Sequence, residues 1–178
     1  MNRLHTINIA EANDEAAGLF SAIKQAVGKV PNAYATIGSN APKVLAHVLQ
    51  TGAVLKQGEL SNRELEAINL VVSEASACDY CLAAHTMTSK LIGYTAEQIR
   101  KLRAGAYDED AKLDALVKFA LTLVSTSNTL SAEAVNHVKQ VGYSDRQIVE
   151  IIFAVSAILF TNMFNRVNDT VLDFPKAD

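Results

Sequence analysis

The 178-residue chain lacks any excess of positive charge: 16 Lys and Arg stand against 19 Asp and Glu, a formal net charge of -3. Nucleic-acid binding works through phosphates neutralised by clustered basic residues, so this balance argues against DNA or RNA as a partner. The opening MNRLHTINIAEANDE has neither the basic head nor the apolar run of a secretory signal. The most apolar stretch, residues 151–160, is ten residues long and contains Ser156, whereas a bilayer span needs about 20. Neither export nor membrane insertion is expected. Cysteine is scarce too: Cys78 and Cys81 are the only two. A lone, closely spaced pair is no disulfide scaffold, and it reads as reactive thiols or metal ligands in a reducing, cytoplasmic setting. Also missing, apart from short ambiguous apolar runs, is the period-two alternation of half-buried strands.

What remains is helical grammar. With 49% hydrophobic and 20% charged residues, the chain can bury a sizeable core in one domain, residues 1–178. Ser61-Asn-Arg-Glu64, Thr95-Ala-Glu-Gln98 and Ser144-Asp-Arg-Gln147 fit the capping box that opens a helix. Gly28, Gly58, Gly93, Gly105 and Gly142 each follow an apolar-periodic run, where a left-handed residue ends a helix at little cost. The pattern predicts helices near 11–27, 43–57, 62–75, 79–92, 96–104, 109–127, 132–141 and 145–170, an all-α fold. Pro31 and Pro42 bracket 32–40, with room for a helical turn, and Pro175 marks the end of ordered structure. The segment 61–73 aligns without gaps on 144–156. Two related units, around 61–92 and 144–170, would produce this, and so would the repetitiveness of amphipathic helices. In the second unit Phe164 stands where the first has Cys81, and Asn168 where it has His85, so only the first could be reactive.

The chemistry-bearing run is CDYCLAAH. On a helix, Cys78, Cys81 and His85 fall on one stripe, with the imidazole one turn beyond Cys81. A Cys78 near the helix start would have its thiolate stabilised by free amides and the dipole, while Cys81 has the imidazole in reach. An ordinary thiol, with a pKa of about 8.5, is roughly 3% ionised at neutral pH, and a drop of about two units makes the thiolate the major form. A vicinal partner can then resolve a sulfenic acid into a disulfide. Two other readings compete with this one. Zinc would take Cys78, Cys81 and His85, but structural zinc wants a fourth ligand, and no second C-x-x-C exists. Alternatively, two cysteines can simply pack as small hydrophobes.

For a carboxylate partner of the imidazole, the residues leave two choices. If the helix from Ser61 runs unbroken, Glu74, Cys78, Cys81 and His85 share a stripe and Glu74 is the partner. If the chain turns at Ser76 and Ala77, Glu66 can fold back onto the C-x-x-C helix. Glu66 sits among Leu65, Ala67, Ile68 and Leu70, where an ionised carboxylate needs a partner, an arginine being the ordinary one. His5, His47 and His137 have no clustered acid or nucleophile and read as unexceptional, and Met87 and Met163 as core or interface filler. The 151–160 stretch, apolar on more than one face, belongs to a helix central to the fold or buried between subunits.

These residues resemble a known family. Glu66 with INLVVSEASACDYCLAAHTMTSKLIG behind it resembles the signature of AhpD-like alkylhydroperoxidases in the carboxymuconolactone decarboxylase superfamily. GKVPNAYATIGSNAPKVLAHVLQTGAVLKQGELSNRELEAINL upstream and the closing NRVNDTVLDFP resemble its peroxidase-related branch, so the likeness covers nearly the whole chain. The resemblance implies an all-α fold, catalytic Cys78 and Cys81, and a proton relay through Glu66 and His85, favouring the turn over the straight helix. Some members carry a second histidine between the cysteines, where this chain has Tyr80. Members with the decarboxylase activity generally lack the C-x-x-C pair, which argues against lactone decarboxylation.

The function so implied is thiol-dependent reduction of an organic hydroperoxide, an antioxidant peroxidase activity needing no cofactor. An external dithiol, thioredoxin-like or lipoyl, would reset the site. The chain would be a homo-oligomer. The alternatives are an adaptor that passes electrons to a peroxiredoxin, and a structural zinc-binding protein.

Overall fold

The computed structural model describes residues 2–12 and 14–177. After a 3-10 turn, Ile9–Glu11, the described residues form α-helices and no strand: α1 (Asp14–Val27), α2 (Asn32–Asn40), α3 (Pro42–Lys56), α4 (Asn62–Ala75), α5 (Asp79–Leu91), α6 (Ala96–Arg103), α7 (Ala111–Ser125), α8 (Ala132–Gln140) and α9 (Asp145–Asn168). The protein is all-α, as expected. Most of these helices start where a side chain takes up amides that the first turn leaves free. The three capping boxes form at Ser61, Thr95 and Ser144, and Asp110 and Ser131 cap α7 and α8.

Three expectations are corrected. Of the stretch expected to open the first helix, Glu11 belongs to the 3-10 turn, Ala12 is extended, and Asn13 lies outside the described residues. Between the prolines stands a nine-residue helix, α2, rather than a single turn. Its Asn, Thr and Gly content is weak helix material, and burial supplies what propensity does not: Ala33, Ala35, Thr36, Ile37 and Gly38 are all buried, and α2 packs on α1 and α3. A Cβ on Gly38 would lie 2.5 Å from the Phe20 ring and 2.8 Å from Leu45. Finally, Gly58 does not adopt the left-handed backbone found at Gly28, Gly93, Gly105 and Gly142. It makes room for a carboxylate instead. Glu150 of α9 comes within 2.8 Å of where its Cβ would be and accepts from the N–H groups of Glu59 and Leu60.

α4 is the central helix, packed against α5, α6, α7 and α9. Leu65, Ile68, Leu70, Val71 and Val72 anchor the larger core, which joins Leu102, Leu116, Phe119 and Ile151 from the surrounding helices. A smaller core unites α1, α2 and α3 through Phe20, Ile23, Ile37 and Leu45. Between them runs α9, whose inner stripe changes character along its length: Ile148, Ile151, Ala154, Val155 and Ile158 give way to Asn162, Asn165 and Asn168, all buried. By length and composition alone α9 could cross a bilayer. The ten-residue apolar run understates it because exposed Val149, Met163 and Val167 extend the apolar surface at both ends. Here one side of it lies against α4, with its asparagines turned inward and bonded to other elements, while the opposite side is exposed.

Gly38→Ala should therefore overpack the smaller core and lose about 1–3 kcal/mol of stability. The measurement is urea unfolding, with a lower midpoint at an unchanged slope.

Candidate functional site

The site is created by a break in the chain between α4 and α5. At the end of α4, the Cys78 N–H donates to the Ser73 carbonyl at 3.0 Å and the Ala77 N–H to that of Glu74 at 2.9 Å. This is the Schellman arrangement, which needs a left-handed residue just past the helix. Ala77 supplies it with φ 49°, a conformation that costs a non-glycine residue roughly 1 kcal/mol or more. The chain therefore reverses, and the straight-helix reading does not hold. Glu66 folds back onto α5, its Oε2 2.9 Å from His85 Nδ1. Glu74, left at the helix end, accepts from Arg103 Nε at 2.7 Å.

The same break makes Cys78 the N-cap of α5. Its Sγ accepts from the Cys81 N–H at 3.3 Å, the place usually held by a serine or aspartate oxygen. Cys78 and Cys81 are joined as a disulfide, with Cα atoms 5.3 Å apart. Both are nearly closed to solvent, at 2% and 3% exposure. Around them lie Ala33 of α2, Tyr80, Phe164 of α9 and Phe174 of the tail. Glu66 and His85 are more open, their side chains 13% and 24% exposed. Asn69, one turn along α4, donates to the other Glu66 oxygen at 3.1 Å and so fixes the carboxylate facing the imidazole. The pair is an ion pair when His85 is protonated, and a neutral imidazole presents Nδ1–H to the same oxygen.

Tyr80 stands between the cysteines in sequence but is engaged elsewhere. Its hydroxyl donates to Asp173 Oδ1 at 2.7 Å and accepts from the Ala33 N–H at 3.2 Å. Burial, together with the neighbouring carboxylate, pushes the phenol well above its ordinary range, so it keeps its proton. Its bonds hold the C-terminal tail in place. Asp173 also pairs with Lys29 at 3.0 Å and accepts from the Asn32 N–H at 3.3 Å, while the Phe174 ring meets Tyr80 edge-on at 5.5 Å under the Lys29 ammonium. Lys29 bonds the Asp173 carbonyl as well.

Several site residues were not anticipated from sequence. Asn165 Nδ2 donates to Cys81 Sγ at 3.3 Å. Its one signal is the spacing of Asn162, Asn165 and Asn168, which repeats a polar residue on the buried phase of an apolar helix. Asn69, Asp173 and Phe174 fall inside the stretches that carry the family resemblance, but the resemblance assigns them no role. His5, His47 and His137 are all exposed. For zinc, the two sulfurs are bonded to each other and offer no thiolates, and among the described residues no group of three His, Cys, Asp or Glu is placed to hold a metal ion.

Tyr80→Phe removes a bond to a carboxylate that keeps its other partners, and should loosen the tail by about 1–2 kcal/mol. Hydrogen exchange should show faster exchange in the backbone of residues 171–174, while α5 stays protected.

Residues 42–121, from α3 into α7, match the model of the carboxymuconolactone decarboxylase family. No curated protein matches the sequence. Among solved structures, the AhpD-core, peroxidase-related protein of Ralstonia eutropha JMP134 superposes with a TM-score of 0.86 at 19% identity, over 97% of this chain and 92% of that one. A peroxidase-related protein from Silicibacter sp. TM1040 gives 0.78 at 21% identity, over 96% and 94%. The debrominase Bmp8 gives 0.79 at 19% identity, over 96% and 92%, and a cysteine-to-alanine variant of it has been solved with 2,3,4-tribromopyrrole. The matched segment carries Glu66, Cys78, Cys81 and His85 and is similar to the carboxymuconolactone decarboxylase family, and the fold around it is the AhpD-like fold of these solved structures end to end.

Proposed function

We propose that the protein is a thiol-dependent peroxidase that reduces an organic hydroperoxide with the Cys78 and Cys81 dithiol. The observation that carries this reading is a bonded sulfur pair at the start of α5 with an imidazole one turn on along the same helix, itself held by the Glu66 carboxylate at 2.9 Å. In the reduced protein, one thiol gives its proton to His85 and the thiolate attacks a peroxide oxygen. An S–O bond forms, the O–O bond breaks, and the leaving alkoxide takes the proton from the imidazolium. The second thiolate then attacks the sulfenic sulfur, an S–S bond forms, and hydroxide departs as water. Two thiols are oxidised by two electrons, and the hydroperoxide becomes alcohol and water. Glu66 orients the imidazole and stabilises its charged form. An external dithiol, thioredoxin-like or lipoyl, resets the pair by exchange.

The fold carries other chemistry too, since the fold neighbour Bmp8 is a debrominase. The C-x-x-C pair favours dithiol oxidation here. Tyr80 and Glu74 receive no relay role in this reading, since their protons and charges are engaged by Asp173 and Arg103. The reducing chemistry and the modest net charge accord with a cytoplasmic protein.

The decisive test is single-turnover oxidation of the reduced protein by a small alkyl hydroperoxide. The parent should consume one equivalent and form the disulfide, whereas a pure adaptor to a peroxiredoxin would leave the peroxide untouched. Cys78→Ser and Cys81→Ser, each treated with a sulfenic-acid trap, identify the attacking sulfur as the one still trapped. Glu66→Gln should slow the step by roughly 10²-fold without unfolding the protein.

A second copy of the chain is the proposed partner on the outer face of α9. Val149, Phe153, Ser156, Phe160, Met163 and Val167 are all exposed there and repeat at alternating spacings of four and three, the seam of a two-helix contact. Reversed upon itself, the row sets Val149 opposite Val167, Phe153 opposite Met163 and Ser156 opposite Phe160, the self-complementarity that a two-fold interface requires. Phe153→Glu with Met163→Glu should convert a dimer to a monomer in sedimentation. A parent that sediments as a monomer at every concentration would refute the pairing.

A further inference from the structure

Three asparagines line the inner side of α9, and two of them are spent on structure. Asn162 donates to Ser73 Oγ at 3.1 Å, tying α9 to α4. Asn168 donates to Thr170 Oγ1 at 2.9 Å and accepts from the Leu4 N–H at 2.9 Å, holding the N-terminal segment. Asn165 differs: its carboxamide nitrogen is directed at Cys81 Sγ, 3.3 Å away. It is 5% exposed, and its Oδ1 has no hydrogen-bond partner among the described residues. The orientation follows from chemistry, since a disulfide or thiolate sulfur has no hydrogen to give and can only face the amide's N–H side.

We propose that Asn165 is the donor that stabilises the Cys81 thiolate once the disulfide opens, so that Cys81 is the sulfur that carries charge. This rests on the dithiol reading of the site. A disulfide sulfur is a poor acceptor and gains little from the bond, whereas a buried thiolate gains much more, because a hydrogen bond to a charged group is about twice as strong as a neutral one. The bond therefore favours the reduced state over the oxidised one and the thiolate over the thiol. Cys78 is served differently, by the backbone N–H of Cys81 at the cap. That N–H is already part of the helix start, so Asn165 is the only side-chain donor to either sulfur among the described residues. The titratable side chains around the site are Glu66, His85, Tyr34, Tyr80 and Asp173, and an Asn165 substitution removes none of them.

The test uses the full chain with Cys78→Ser, leaving Cys81 as the lone thiol, and follows alkylation by a small neutral reagent against pH. The Cys81 thiol should titrate below the ordinary value of about 8.5. Asn165→Leu, which keeps the bulk and removes the donor, should raise its pKa by about one unit and slow alkylation at neutral pH up to tenfold. Asn165→Asp, of the same shape with an acceptor in place of the donor, should raise it further. With both cysteines present, Asn165→Leu should shift the reduction equilibrium against a dithiol reference about tenfold toward the disulfide, about 30 mV more negative.

A folded Asn165 variant whose Cys81 titration matches the parent overturns the proposal. So does a parent in which Cys78, measured with Cys81→Ser, is the more acidic thiol, a comparison that needs no Asn165 variant to fold. These readouts involve no peroxide. An inert response to hydroperoxide with the expected thiol shifts defeats the peroxidase reading alone. Peroxide turnover with unshifted thiols defeats the role of Asn165 alone.

Discussion

The reversal at Ala77 is the constraint on which the rest of the site depends. Two backbone bonds and one left-handed alanine end α4, and the next residue, Cys78, becomes the first cap of α5. The reversal sets both the placement of a sulfur at a helix N-terminus and the approach of Glu66 to His85, residues 19 apart in sequence. A continuous helix would have carried the carboxylate of Glu66 away from the imidazole by the full length of the intervening turns. The energetic cost of the alanine conformation is small beside what the fold gains from α4, whose apolar side anchors the larger core. One helix thus serves two purposes, packing on one side and holding an acid on the other.

The change of character along α9 shows how a buried helix accommodates chemistry. Its first half presents aliphatic side chains that need only shape, and its second half presents amides that need partners. Those partners come from α4, the N-terminal segment and the sulfur pair, so the asparagines tie α9 to three separate parts of the chain. Burying them is expensive wherever a polar atom is left unmatched, as at Oδ1 of Asn162 and Asn165. At Asn165 that unmatched oxygen belongs to the side chain that meets Cys81 Sγ.

Much of this architecture is legible in the amino-acid sequence because it is local. The capping boxes at Ser61, Thr95 and Ser144 are written in four residues each, and all three form. The stripe of Cys78, Cys81 and His85 is likewise a matter of helical period. The choice between Glu66 and Glu74 was not local. The turn that decides it lacks the glycine that normally announces a Schellman end, and Ala77 looks like helix. Only the family likeness favoured the turn. α2 was underestimated because its stability comes from Phe20 and Leu45, contributed by other helices. The closing NRVNDTVLDFP marks a likeness, but the contacts of Asp173 and Phe174 are unreadable for the same reason: a tail residue reveals no destination until the surface it meets has been assembled. The segment aligned with α4, residues 144–156, heads an unbroken helix, so the two stretches share a beginning and then diverge.

The near-complete enclosure of the sulfur pair divides reagents by bulk. A slender oxidant needs only a narrow passage, whereas a thiol carried by a macromolecule would have to bring its own atoms into line with a sulfur beneath Phe174 and Tyr80. In the proposed cycle, exchange with so large a donor would wait for the tail to lift, and its velocity at high donor concentration would level off at the frequency of that opening, set by Lys29, Asn32 and Tyr80 gripping Asp173 rather than by sulfur reactivity.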